Sequence, residues 1–170
     1  MARGAKGQAR HGGLLYRFKR WMYPAGRPNL LARLLNKLSA LQYSRGILVP
    51  RNWMTLEVRG RRTGRLLSFP VVVADHEGER YLVSMLGEQA HWVRNVRAAR
   101  DRAVLRHGRR EPVRLEEVEV SARPPILRRY LDLAPGARPH VPVDRKAPLE
   151  EFAAVAGDFP VFRVVAEPRR

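Results

Sequence analysis

Residues 59–65, RGRRTGR, place four arginines and two glycines in seven positions between two apolar runs. Glycine tolerates backbone conformations closed to other residues, so Gly60 and Gly64 let the chain curl until amide N–H groups face a concavity. Thr63 adds a hydroxyl, and Arg61, Arg62 and Arg65 add forked guanidinium donors suited to phosphate or carboxylate. Such a turn can cradle an anion. The same residues also suit a solvated hairpin tip, and taken alone they do not identify the anion. Other chemistry is sparse: the chain has no GxSxG, HExxH or P-loop motif, and no GxGxxG following a strand. His11, His76, His91, His107 and His140 lack metal-ligand spacing, so no metal site is expected.

The elements that must position this turn can be read from periodicity. Residues 1–12 are small, basic and aperiodic, as in a disordered arm. Leu14, Leu15, Phe18, Trp21 and Met22 then share an arc of roughly 120° at helical spacing. Pro24, Gly26 and Pro28 interrupt, and Leu30, Leu31, Leu34, Leu35, Leu38 and Leu41 repeat the pattern, so amphipathic helices are expected within 13–45. From Trp53 the period falls to two: Met54, Leu56 and Val58 alternate with Thr55, Glu57 and Arg59, which predicts a strand with one buried face. Strands are expected over 66–74, with Pro70 marking an edge, and over 80–86. A helix is expected over 90–100, a hairpin from 103–107 to 112–121 turning at 108–111, helices from 124 to 130 and over 149–156, and a closing strand over 160–166. Six sequential strands with interspersed helices predict an α+β fold around a small antiparallel barrel, a single domain over 13–170.

Composition bounds the function. With 170 residues the chain can bury a real core. Its 33 Lys+Arg against 16 Asp+Glu give a net charge of +17, compatible with nucleic acid, an anionic membrane or a polyanionic small molecule. The absence of cysteine excludes disulfides, thiolate metal sites and a cysteine nucleophile. No apolar run is long enough to span a bilayer, and no signal-peptide stretch follows the basic start, so a cytoplasmic protein is expected. Aromatics are not interleaved with the arginines as a base-stacking platform requires, so nucleic-acid binding is not expected.

GRRTG between two strands, FPV in the next strand, then YLVSMLGE, HWVRNVRAA and PVFR occur in this order and spacing. As a set they resemble the deazaflavin-dependent nitroreductase and quinone reductase family. The resemblance implies a split β-barrel of the FMN-binding kind, six-stranded and antiparallel, and the cofactor coenzyme F420, an 8-hydroxy-5-deazaflavin with a polyanionic phosphate and glutamate tail. It implies that the turn, through Arg61, Arg62, Thr63, Gly64 and Arg65, meets that tail. Phe69, Pro70 and Val71 would run beside the ring, Ser84 and Met85 would border it from the next strand, and Trp92 with Asn95 would close the site. Where the family commonly has a further basic residue and a proline after the second glycine, this chain has Leu66 and Leu67, and Arg65 would compensate. The implied activity is hydride transfer from the reduced deazaflavin to a quinone, nitroaromatic or other conjugated electrophile, with Tyr130, Ser84, His140 or water as proton source.

Two other classes fit the same residues: a carrier of this fold that holds a deazaflavin or lipid without turnover, and a basic protein peripheral to membrane or nucleic acid. The apolar stripe of 14–22, with Arg17, Lys19 and Arg20 beside it, would suit either the barrel flank or an anionic membrane surface at the inner face. Removing residues 1–23 should abolish co-sedimentation with anionic vesicles and leave deazaflavin binding within a few-fold. Unfolding or loss of the cofactor would assign the segment to the core instead.

Overall fold

A computed structural model describes residues 50–167 of the chain. The expected arm, the expected leading helices and the membrane-facing segment lie outside the described residues. Six strands are present: β1 (Trp53–Arg59), β2 (Leu66–His76), β3 (Glu79–Val83), β4 (Arg102–His107), β5 (Arg109–Glu117) and β6 (Val161–Ala166). Three α-helices accompany them: α1 (His91–Ala98), α2 (Arg123–Leu133) and α3 (Leu149–Val155). Every strand pairing is antiparallel, and the order β1-β2-β3-β6-β5-β4 closes into a barrel because β4 returns to β1. This is the α+β barrel that the strand count and the turn signals predict.

Alternation along the strands sends side chains to two separate cores. Leu56 and Val58 of β1, Val73 of β2, Leu82 of β3, Leu105 of β4, Val113 and Leu115 of β5, and Phe162 and Val164 of β6 point inward. Val93 and Val96 of α1 join them and cap the barrel interior. On the opposite face Ala74, Val83 and Val161 pack against Ile126, Leu127, Tyr130 and Leu131 of α2 and Phe152 of α3. The near-uniform apolarity of β2 follows from this, since its C-terminal half serves both cores.

Several expected boundaries move. The 80–86 strand stops at Val83: the Ser84 amide still donates to Pro160 O at 2.9 Å, but the Gly87 amide donates to Ser84 O at 3.0 Å and the Ser84 hydroxyl to Gly87 O at 2.8 Å, turning the chain away. The 108–111 turn contracts to Gly108, which has a φ of +73° between paired His107 and Arg109. Residues 109–111 therefore belong to β5, and the strand ends at Glu117 rather than at Ser121. The polar face expected of β1 is partly buried too: Glu57 is enclosed, with Arg106 Nη1 at 3.3 Å and Arg110 Nη2 at 2.6 Å from its carboxylate.

Arg123 is a buried charge that periodicity does not reveal, 5% exposed at the start of α2. Its Nε donates to Val118 O at 2.8 Å, its Nη1 to Ala156 O and Phe159 O at 3.2 and 3.3 Å, and its Nη2 to Glu117 at 3.2 Å. One guanidinium thus ties the end of β5 to α2 and to the segment before β6. Glu117 also accepts from Arg97 of α1, whose other donors reach Glu88. Arg123→Met, which keeps the bulk but strands these acceptors, should lower the unfolding free energy by about 3–5 kcal/mol in a denaturant titration. A loss below about 1 kcal/mol would show that water replaces the guanidinium at little cost.

Candidate active site

Strand β2 pairs with β1 from Leu66↔Arg59 to Val72↔Trp53, and with β3 only from Val73 onward. Its first half is therefore an open edge. Pro70 sits there without cost, because a proline cannot donate to a neighbouring strand and none pairs on that side among the described residues. Beside this edge lies a cleft of about 460 Å³. Its floor is Phe69, Pro70, Val71 and Val72, with Trp53 from β1; Met85, Leu86 and Trp92 form one wall, and Tyr130 with 134–137 the other. The lining is almost wholly apolar, as pockets for flat conjugated molecules are. Trp92 does two things at once: it packs at 5.4 Å on Phe162, with ring planes tilted by 59°, and it presents its remaining surface to the cleft.

The turn of residues 60–65 stands at the head of the same strand. It is closed by Gly60 N–H to Arg65 O and Gly64 N–H to Gly60 O, both at 2.8 Å. Gly64 has a φ of +67°, a conformation that favours glycine, and a Cβ on Gly60 would make a tight 3.3 Å contact with Arg65 O. The Arg61 amide and Nη1 both donate to Asn95 Oδ1, at 3.2 and 3.1 Å. The amides of Arg62 and Thr63 have no acceptor among the described residues, and the guanidinium groups of Arg62 and Arg65 are exposed without an acidic partner there. At a rise of roughly 3.3 Å per residue, Arg65 stands about 13 Å along the strand from Phe69.

The expected site residues thus fall into three groups. Phe69, Pro70, Val71, Met85, Trp92 and Tyr130 line one cleft. Arg62, Thr63, Gly64 and Arg65 form the exposed turn, while Arg61 and Asn95 face each other at its base. Ser84 is 1% exposed with its hydroxyl committed to Gly87, and His140 is exposed on the loop after α2; neither lines the cleft. Trp53, Leu86 and the 134–137 wall were not singled out by spacing, although the Pro-Gly pair at 135–136 signals the bend that forms that wall.

Residues 39–149 match the family described as F420H(2)-dependent quinone reductase. The chain belongs to that family. Its cofactor is accordingly the deazaflavin coenzyme of these reductases. Among solved structures, a protein of unknown function from Agrobacterium tumefaciens is 14% identical with a TM-score of 0.52, covering 78% of this chain and 55% of that one. An F420-H2 dependent reductase is 18% identical, with a TM-score of 0.46 and coverage of 68% and 96%. An FAD-binding protein from Mesorhizobium loti is 14% identical, with a TM-score of 0.46 and coverage of 77% and 89%. No curated protein matches the chain. The closed six-stranded antiparallel barrel is the architecture that the resemblance implies.

The residues of this family member fit its coenzyme on two counts. The cleft is apolar and partly aromatic where a tricyclic ring needs contact area, and the donor set at the strand head is cationic and amide-rich where a phosphate and carboxylate tail needs it. Among the described residues no acidic or histidine cluster could hold a metal, and no helix is long and apolar enough to cross a membrane.

Tyr130, only 5% exposed, is the sole hydroxyl-bearing residue that lines the cleft among the described residues. Burial pushes its pKa up to about 12, because a phenolate there would lose its hydration. A folded-state value above the unfolded value of about 10 means that folding holds the proton. That contribution is fully present below pH 10 and is lost as pH rises through about 12. Difference titration of phenolate absorbance between the parent and Tyr130→Phe should therefore show the missing group ionising near 12, and a group ionising at 10 would mean that the cleft is wetter than its lining suggests.

Proposed function

We propose that this reductase binds the deazaflavin along the open half of β2 and reduces a quinone, a nitroaromatic or a related flat conjugated electrophile in the same cleft. The observation that carries the reading is the sharing of one strand: the apolar cleft and the unpaired arginine turn occupy successive parts of 60–72. Arg62 and Arg65, with the Arg62 and Thr63 amides, bind the anionic tail. Phe69, Pro70 and Val71 face the ring, and Trp92 closes it from α1. When bound, the reduced deazaflavin supplies a hydride, a two-electron step, to the acceptor. The apolar lining excludes water and sets two flat molecules face to face. Tyr130, held neutral by burial, has a phenolic proton to give to the reduced acceptor.

The family supports a quinone as acceptor, and the cleft supports it independently, since a quinone offers the area and flatness that the aromatic lining accepts. Stopped-flow or steady-state oxidation of the reduced deazaflavin by a short-chain quinone tests the reading. Turnover with the quinone is expected, and Arg62→Ala should raise the KM for the coenzyme about tenfold while kcat changes little, the effect of losing one charge-assisted contact to the tail. Tight coenzyme binding with no oxidation by quinones or nitroaromatics would identify a carrier. An unchanged KM would return the arginine turn to the role of a solvated hairpin tip.

A further inference from the structure

Asn95 lies on α1 three residues after Trp92, so both look toward the same side of the helix. It is 2% exposed and does not line the cleft, and its side chain instead reaches the turn 34 residues earlier in sequence. Two donors from a single residue, the Arg61 amide and the Arg61 guanidinium, converge on its Oδ1. Both lone pairs of that oxygen are then used, which fixes which way the amide faces without ambiguity.

The consequence for the turn is specific. Gly60, Arg61, Gly64 and Arg65 have their amides committed, to Arg65 O, Asn95 Oδ1, Gly60 O and, more weakly, Thr63 Oγ1. Arg59 Nη1 adds a brace to Gly64 O at 3.3 Å. Only Arg62 and Thr63 keep free amides among the described residues of the turn, and they are the two at its apex. The Arg61 guanidinium is engaged by Asn95, leaving Arg62 and Arg65 as the cations of the turn available to a ligand.

We infer that Asn95 is a positioning residue for the coenzyme tail: by fixing Arg61 it presets the turn so that the Arg62 and Thr63 amides already converge on the anion. The inference rests on the reading that the turn holds the tail. A preset turn loses less freedom on binding, so its effect belongs to the tail alone, and helix α1 links the ring wall at Trp92 to the tail cradle at Asn95.

The test compares affinity for the complete coenzyme with affinity for its riboside, which has the same ring but lacks the phosphate and glutamates, by fluorescence titration. Asn95→Leu should weaken the complete coenzyme on the order of tenfold and leave the riboside within about twofold. Arg61→Ala, at an exposed position outside the core, should give a smaller loss with the same selectivity, and Asn95→Asp, which still accepts from both donors, should restore binding. Equal losses for coenzyme and riboside, or no loss from either Asn95→Leu or Arg61→Ala, would overturn the inference. A double variant Arg62→Ala, Arg65→Ala separates the two ideas. If it lowers coenzyme affinity selectively while Asn95→Leu and Arg61→Ala do not, the tail site stands and the positioning role falls. If the parent binds coenzyme and riboside equally and the double variant changes nothing, the tail reading itself fails.

Discussion

An antiparallel barrel normally uses both edges of every strand, and the half-strand of β2 that lacks a partner on one side is the constraint on which the site depends. Among the described residues Leu66–Val72 are held by β1 alone, because β3 is only five residues long and the Ser84 turn carries the chain away toward α1. The gap is the cleft. The same departure brings Leu86 and Trp92 to its rim, while α2, packed on the other side of β2, supplies Tyr130 and the wall beyond it. A longer β3 would seal the gap with ladder hydrogen bonds and leave no place for a ring.

Charge is distributed in keeping with this geometry. Several arginines are paired locally: Arg80 with Glu111, Arg97 with Glu88 and Glu117, Arg129 with Asp75, Arg145 with Asp132 and Arg163 with Glu116. The Arg97 pairs hold the Glu88 carboxyl below its usual range, chiefly through their hydrogen bonds, and bind the start of the α1 region to the end of β5. The surface pairs contribute little stability each, but they remove cations from competition for an anionic ligand. Arg62 and Arg65 have no such partner among the described residues, so the field at the head of β2 remains positive.

Much of this was legible in the residues. Period-two alternation located β1 and the core positions Leu56 and Val58, and the order of GRRTG, FPV, YLVSMLGE and HWVRNVRAA pointed to the family before any geometry. What could not be read were features decided by tertiary contacts. Ser84 reads as a strand residue by hydrophobicity, but the competing bond to Gly87 turns the chain there. Glu57 reads as a residue of the solvated face of β1 and Arg123 carries no signal in the periodicity, and each takes partners from segments distant in sequence. Asn95 was legible as part of a motif, while its direction, toward the turn rather than into the cleft, depends on how α1 is set against the barrel.

The central claim is that one ligand spans the turn and the cleft along β2. Amide chemical-shift mapping of the full chain, uniformly labelled with nitrogen-15 and titrated with the oxidised deazaflavin, tests it most directly. The account predicts concerted shifts at Arg62 and Thr63, at Phe69 and Val71, and at the Trp92 indole N–H, all with one dissociation constant. Shifts confined to the groove lined by Val104, Arg110 and Pro112, with the turn apex and Trp92 unmoved, would contradict it.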